Sequence, residues 1–147
     1  MGPSGWDYVT AYRGDIGSSL AALHQKMFDG GEPWFRTELD RWKLPQPATL
    51  AELWGSEVYH EFLGTNGTHS ILDVPSIGQD GISPVDAETV MRVFGADQPT
   101  RADWDRVAGE HARGVQGLLG DRWTGRCVVL FQDGEPVEVA FWGFSGD

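Results

Sequence analysis

The sequence predicts an α+β domain in which a small, mainly antiparallel sheet packs with about four helices. Three observations carry that expectation. The last quarter of the chain holds two apolar runs, Arg126 to Phe131 and Val137 to Phe144, joined by Gln132-Asp133-Gly134-Glu135-Pro136 with its Asp-Gly turn signal. The opening run Trp6 to Tyr12 is rich in aromatic and β-branched residues, as an N-terminal strand is. Between these ends, four segments carry helical periodicity or helix-capping residues. With 147 residues, 40% of them hydrophobic, the chain is expected to fold as one domain over residues 1–147.

The elements follow in order. After the first strand, Ile16, Leu20, Leu23 and Met27 recur at helical spacing, Asp15 can cap the start, and Gly30-Gly31 stops the helix. Residues 30–48 show no period and contain Pro33, Pro45 and Pro47, so they read as a long loop, which in a compact domain is often functional. Thr49-Leu50-Ala51-Glu52 has the form of a capping box opening a helix to about Phe62. His69 to Val74 reads as a short strand. Ser83-Pro84-Val85-Asp86 places a proline at a first helical position, where no donor is missed. Thr100-Arg101-Ala102-Asp103 opens a further helix that Gly109, Gly114 and Gly117 should break. In the final strand Val137, Val139, Phe141 and Gly143 alternate with Glu138, Ala140, Trp142 and Phe144. Both sets turn apolar towards the end, which predicts a strand covered on both faces.

The layout resembles the YfbM-like family of small bacterial proteins. The resemblance rests on an N-terminal strand and amphipathic helix followed by "ELWGSEVYHEFLG", and on the paired helices of "ISPVDAETVMRVFGADQPTRADWDRV". It spans about residues 6–107, leaves the C-terminal hairpin outside the pattern, and implies an α+β fold without assigning any catalytic residue.

Charge narrows the function. Asp and Glu number 22 against 11 Lys and Arg, a formal net charge of −11. Such a surface repels nucleic acid and anionic membranes and draws in a basic protein, speeding the encounter. No run approaches a membrane span, and no secretory signal opens the sequence, so a cytoplasmic location is expected. Cys127, the single cysteine, lies in an apolar run and excludes an internal disulfide. No phosphate-binding glycine loop, nucleophile elbow or Cys-x-x-Cys pair is present, and no cofactor is implied.

Three residues stand as catalytic candidates. His60 and His69 flank a turn with Glu57, Glu61 and Asp73 nearby, the residue types of a zinc site but without a helical ligand spacing, and they read as half-exposed histidines rather than a metal centre. Arg13, in Tyr12-Arg13-Gly14, resembles the strand-end arginine of ADP-ribosyltransferases, with Thr68-His69-Ser70 in place of the serine-rich strand. Glu135 and Glu138 have the wrong spacing for the glutamates of that class. The binding candidates are Trp34, Phe35 and Trp42 in the 30–48 segment with Glu32, Glu38 and Asp40 beside them, and Trp142 near the C-terminus, because tryptophans without a periodic role are favoured at interfaces. Trp54 and Trp104 fall on helical apolar stripes and read as core. Two functions fit: an acidic binding module, of the inhibitor or immunity-protein kind, that docks onto a basic partner; or a small enzyme or ligand-binding protein whose aromatic pocket is formed by residues 30–48, His60, His69 and the last strand.

Overall fold

The computed structural model describes residues 4–31, 34–57, 59, 61 and 67–145. In chain order the regular elements are β1 (Ser4–Ala11), α1 (Ile16–Lys26), α2 (Trp34–Arg41), α3 (Leu50–Gly55), β2 (Ile82–Pro84), α4 (Ala87–Phe94), α5 (Arg101–Ala108), β3 (Thr124–Gln132) and β4 (Glu135–Ser145). A π turn prolongs α1 over Met27–Gly31, and 3₁₀ segments lie at Ile71–Asp73 and Glu110–Leu118. The class is α+β, as the sequence predicts.

One four-stranded sheet, in the order β1-β4-β3-β2, organises the chain. β4 pairs antiparallel with both β1 and β3, while β2 joins the other edge of β3 in parallel, so the sheet is mixed. The last strand therefore occupies an interior position, which explains why the chain stays apolar almost to its end. Its alternation sorts the core. Trp6, Cys127, Val139 and Phe141 lie in one buried cluster with side chains of α1, α2 and α3. Val128, Leu130, Ala140 and Trp142 lie in a second cluster with α4, α5 and the Glu110–Leu118 segment. Helices thus cover both faces.

On the first face, Trp6, Gly143 and Gly125 share one row across β1, β4 and β3. The Trp6 ring lies so close that a Cβ on Gly143 would sit 2.6 Å from it and 2.7 Å from the Thr124 carbonyl oxygen. Glycine in this aromatic run is a clearance for the indole. On the second face the Trp142 ring lies 5.2 Å from that of Trp104, and its indole N–H donates to the Val115 carbonyl at 3.0 Å. That bond satisfies the one polar group the buried ring carries.

The helix starts follow their caps. Asp15 accepts from the Ser18 amide, Asp86 from Thr89 and Thr100 from Asp103, whose carboxylate returns the bond to the Thr100 amide. The backbone amides hold the Asp15 and Asp86 carboxyls below their ordinary pKa. Thr49 caps α3, but Glu52 reaches one residue further back than a capping box requires, to the Ala48 amide. Asp86, not the Ser83-Pro84 pair, caps α4; Ser83 and Pro84 belong to β2, where proline at a strand end removes no required donor. The break at Gly109 is present.

Two local expectations fail. Residues 30–48 are not a continuous loop, because α2 occupies Trp34–Arg41. Its apolar signal is a single i, i+4 pair, Phe35 and Leu39, both fully buried, in an otherwise polar segment flanked by prolines. His69 to Val74 is not a strand; Ser70 caps a 3₁₀ turn by accepting from the Leu72 amide. The α3 expectation reaches to Phe62, which lies outside the described residues; α3 itself ends at Gly55. Among the described residues no helix is long and apolar enough to cross a membrane.

Candidate functional site

Among the described residues a surface depression of about 390 Å³ lies between α1, α3 and the Pro75–Ile77 turn. Its walls are Leu20 and Ala21 from α1, Leu50 and Trp54 from α3, and Pro75 and Ile77, with His24 and Gln25 as the polar contributions. Trp54 and Ile77 remain 37% and 40% exposed, although large apolar side chains are elsewhere mostly inside. Trp54 is thus a wall of this depression, not the core residue its helical stripe suggests. Its indole N–H donates to the Leu72 carbonyl at 2.9 Å, and its ring meets the His24 imidazole nearly edge-on, at 5.1 Å and 79°. These two contacts fix the plane of the indole.

His24 ties the depression to the core. It is buried, and its Nε2 lies 3.1 Å from the Ile71 carbonyl oxygen and 3.2 Å from that of Val74. With two acceptors facing it, Nε2 must carry the proton. Burial lowers the His24 pKa against the opposing pull of the two carbonyls, which favours the neutral ring. Among the described residues the walls contain no carboxylate, hydroxyl, thiol or amine, and the titratable side chain there is a histidine committed to main-chain carbonyls. Such walls can bury a side chain; they do not supply an acid–base pair or a nucleophile.

The surrounding sequence is one-sided in charge. From Leu44 to Met91 there is no Lys or Arg, while Glu52, Glu57, Glu61, Asp73, Asp80, Asp86 and Glu88 all fall there. Leu50, Trp54, Pro75 and Ile77 belong to that stretch. Gln25, on the α1 wall, donates its side-chain amide to the Asp29 carboxylate at 2.9 Å.

The structure disperses the predicted site residues. Phe35 and Trp142 are fully buried, one under α2 and the other between the sheet and α5, and neither presents surface to a partner. Trp42 is 65% exposed just beyond α2. Glu38 forms an ion pair with Arg41 at 3.3 Å, and Asp40 accepts from the Gln46 amide at 2.8 Å, so local partners already engage both carboxylates. Arg13 is exposed, and its main-chain amide donates to Ser19 Oγ at 2.8 Å. Glu32, His60 and the Trp34 side chain lie outside the described residues. With Phe35, Phe141 and Trp142 inside the core, the pocket expected from residues 30–48 and the last strand is not formed by those rings.

Near His69, Asp73 is half-buried and accepts from three protein donors. Oδ1 accepts from the Thr68 amide at 2.6 Å and the Thr68 hydroxyl at 2.9 Å, and Oδ2 from the Ser145 hydroxyl at 2.5 Å. Ser145 Oγ in turn accepts from the Trp6 indole N–H at 3.1 Å. Desolvation raises the Asp73 pKa, opposed by these bonds. The network clamps the end of β4 to the Ile71–Asp73 turn. Among the described residues no three metal-ligating side chains converge. The Cys127 thiol is fully buried and pushed up to about 12 by desolvation, which leaves it unreactive.

Sequence reasoning missed the His24–Trp54 depression because each part has an ordinary explanation alone. The signal lay in the cation-free stretch, whose length exceeds anything else in the chain. Comparison of the chain with protein-family models, with curated proteins and with solved structures finds no match.

Proposed function

We propose that this protein is an acidic docking module for a basic protein partner, of the inhibitor or immunity-protein kind. The observation that carries the reading is the exposed, apolar depression at Trp54 and Ile77, two residues of a stretch, Leu44 to Met91, that holds seven carboxylates and no Lys or Arg. Exposed aromatic anchors surrounded by one sign of charge suit an interface, where the ring supplies contact area and the charge steers the encounter. Trp42 offers a second exposed ring. His24, the titratable side chain among the described walls, is committed to the Ile71 and Val74 carbonyls, which favours docking over catalysis in this reading.

The test begins with crosslinked capture from the native host and continues with the purified partner in stopped-flow association. Raising salt from about 50 to 500 mM should slow association by about tenfold or more and change dissociation by less than about threefold, because screening acts on long-range steering. A partner of acidic surface, or rates indifferent to salt, would remove the electrostatic basis of the proposal.

A further inference from the structure

We infer that the His24–Trp54 depression receives one lysine or arginine side chain of that basic partner, its alkyl stem against the apolar walls and its charged head over the Trp54 ring. The inference rests on the docking reading and names the anchor. Three features select a cationic side chain over a purely apolar one. First, the walls Leu20, Leu50, Pro75 and Ile77 suit a methylene stem, and one wall is an indole whose plane is already fixed by Leu72 and His24. A cation over such a face is attracted by the ring quadrupole, and a fixed ring loses no freedom on binding. Second, among the described residues the wall holds no Lys or Arg, and the cation–ring contacts are those of Arg36 with Phe28 and Phe35, not with Trp54. Third, the Asp29 carboxylate is hydrogen-bonded to Gln25 of the wall at 2.9 Å, which sets a negative charge at the rim of an apolar interior. Long basic side chains bury their stems and keep their heads near charge in this way.

The probe is a soluble peptide of alternating glycine and arginine, compared with the same peptide carrying citrulline, which keeps the shape of arginine without its charge. Binding is followed at about 50 mM salt through the indole N–H resonances, with Trp54 assigned from the spectrum of Trp54→Phe, and the affinities of parent and variants are measured by calorimetry. The arginine peptide is expected to shift the Trp54 resonance saturably, and citrulline to weaken binding by at least about tenfold. Trp54→Phe should stay within about threefold of the parent and Trp54→Leu should lose about fivefold or more, the range expected of a cation–ring contact. Should Trp54→Leu not fold, Ile77→Lys on the exposed lip is the substitute; it sets a like charge at the entrance and should reduce binding by about tenfold. Equal binding of the citrulline peptide would overturn the inference, as would arginine-peptide binding that leaves Trp54 unshifted and survives both substitutions. In those cases the docking reading stands, with its anchor elsewhere. Failure of any cationic peptide to bind would overturn both.

Discussion

Ser145→Ala removes one oxygen atom from the last residue of β4, yet it should rank among the more damaging single changes in this protein. The Ser145 hydroxyl both donates to Asp73 Oδ2 and accepts from the Trp6 indole, at 2.5 and 3.1 Å, and the residue is fully buried. Alanine would leave the buried Trp6 indole N–H and the half-buried Asp73 Oδ2 without this partner, while Asp73 Oδ1 keeps its bonds to Thr68. Each such group costs about 1–3 kcal/mol, so the expected loss is about 3–4 kcal/mol from a total of about 5–15. For a chain of this size that corresponds to a fall in melting temperature of about 10 °C. Urea unfolding at pH 7 should show a lower midpoint with an unchanged slope. Adding Asp73→Asn should cost less than the two single losses combined, since the charge that Ser145→Ala strands is then gone. A loss under about 1 kcal/mol, or strict additivity of the pair, would mean that water replaces the hydroxyl and that the clamp is not closed.

Other substitutions probe the rest of the fold. Deleting residues 140–147 removes Phe141 and Trp142 from the two sides of the sheet, each worth about 3–5 kcal/mol, so the truncated chain should be unfolded or insoluble; an unchanged circular dichroism spectrum and melt would refute the central place of β4. Gly143→Ala drives a methyl group into Trp6 and the Thr124 carbonyl and should cost about 1–3 kcal/mol in urea unfolding, whereas an unchanged midpoint would show that Trp6 can move aside. Trp42→Ala should alter stability by less than about 0.5 kcal/mol and weaken partner binding by about 2 kcal/mol, measured by melting and calorimetry; a marked loss of stability would assign Trp42 to the core. The lowered His24 pKa means that the unfolded chain takes up this proton more readily than the folded one. Its contribution is therefore complete above about 6.5 and is lost as pH falls, and His24→Gln should flatten the decline in melting temperature between pH 7 and 5; parallel profiles would place the titration elsewhere.

The sequence was most legible where local chemistry and tertiary need agree. The Asp133-Gly134 turn, the alternation through β4, and the caps at Asp15, Thr49 and Thr100 each specify structure within a few residues, and all are present. Legibility failed where a few long-range contacts decide. The fully buried apolar residues of α2 are Phe35 and Leu39, too few for a periodic stripe, and Arg36 ties the helix to the Phe28 carbonyl; the three-residue β2 pairs with the edge that β3 offers. Among the candidate site residues, sequence alone could not tell Trp142 from Trp42. Both are tryptophans near the end of an element; one meets Trp104 and the Val115 carbonyl inside the fold, and the other points out.

The same reasoning explains why the depression is built where it is. Trp54 could not stay 37% exposed with a fixed plane on its own short helix, since α3 has six residues and isolated helices of that length are unstable. Its orientation comes from the Ile71–Asp73 turn, through the Leu72 carbonyl, and from α1, through His24, which binds the same turn at Ile71 and Val74. That turn is in turn held by Asp73 to Ser145 and so to the end of β4. The exposed ring is thus joined to the middle of the sheet by a chain of hydrogen bonds, every link of which is buried or half-buried. Loosening the clamp with Ser145→Ala should therefore disturb the Trp54 indole resonance even under conditions where the protein remains folded. Trp42, which hangs on no such chain, should keep its resonance unchanged.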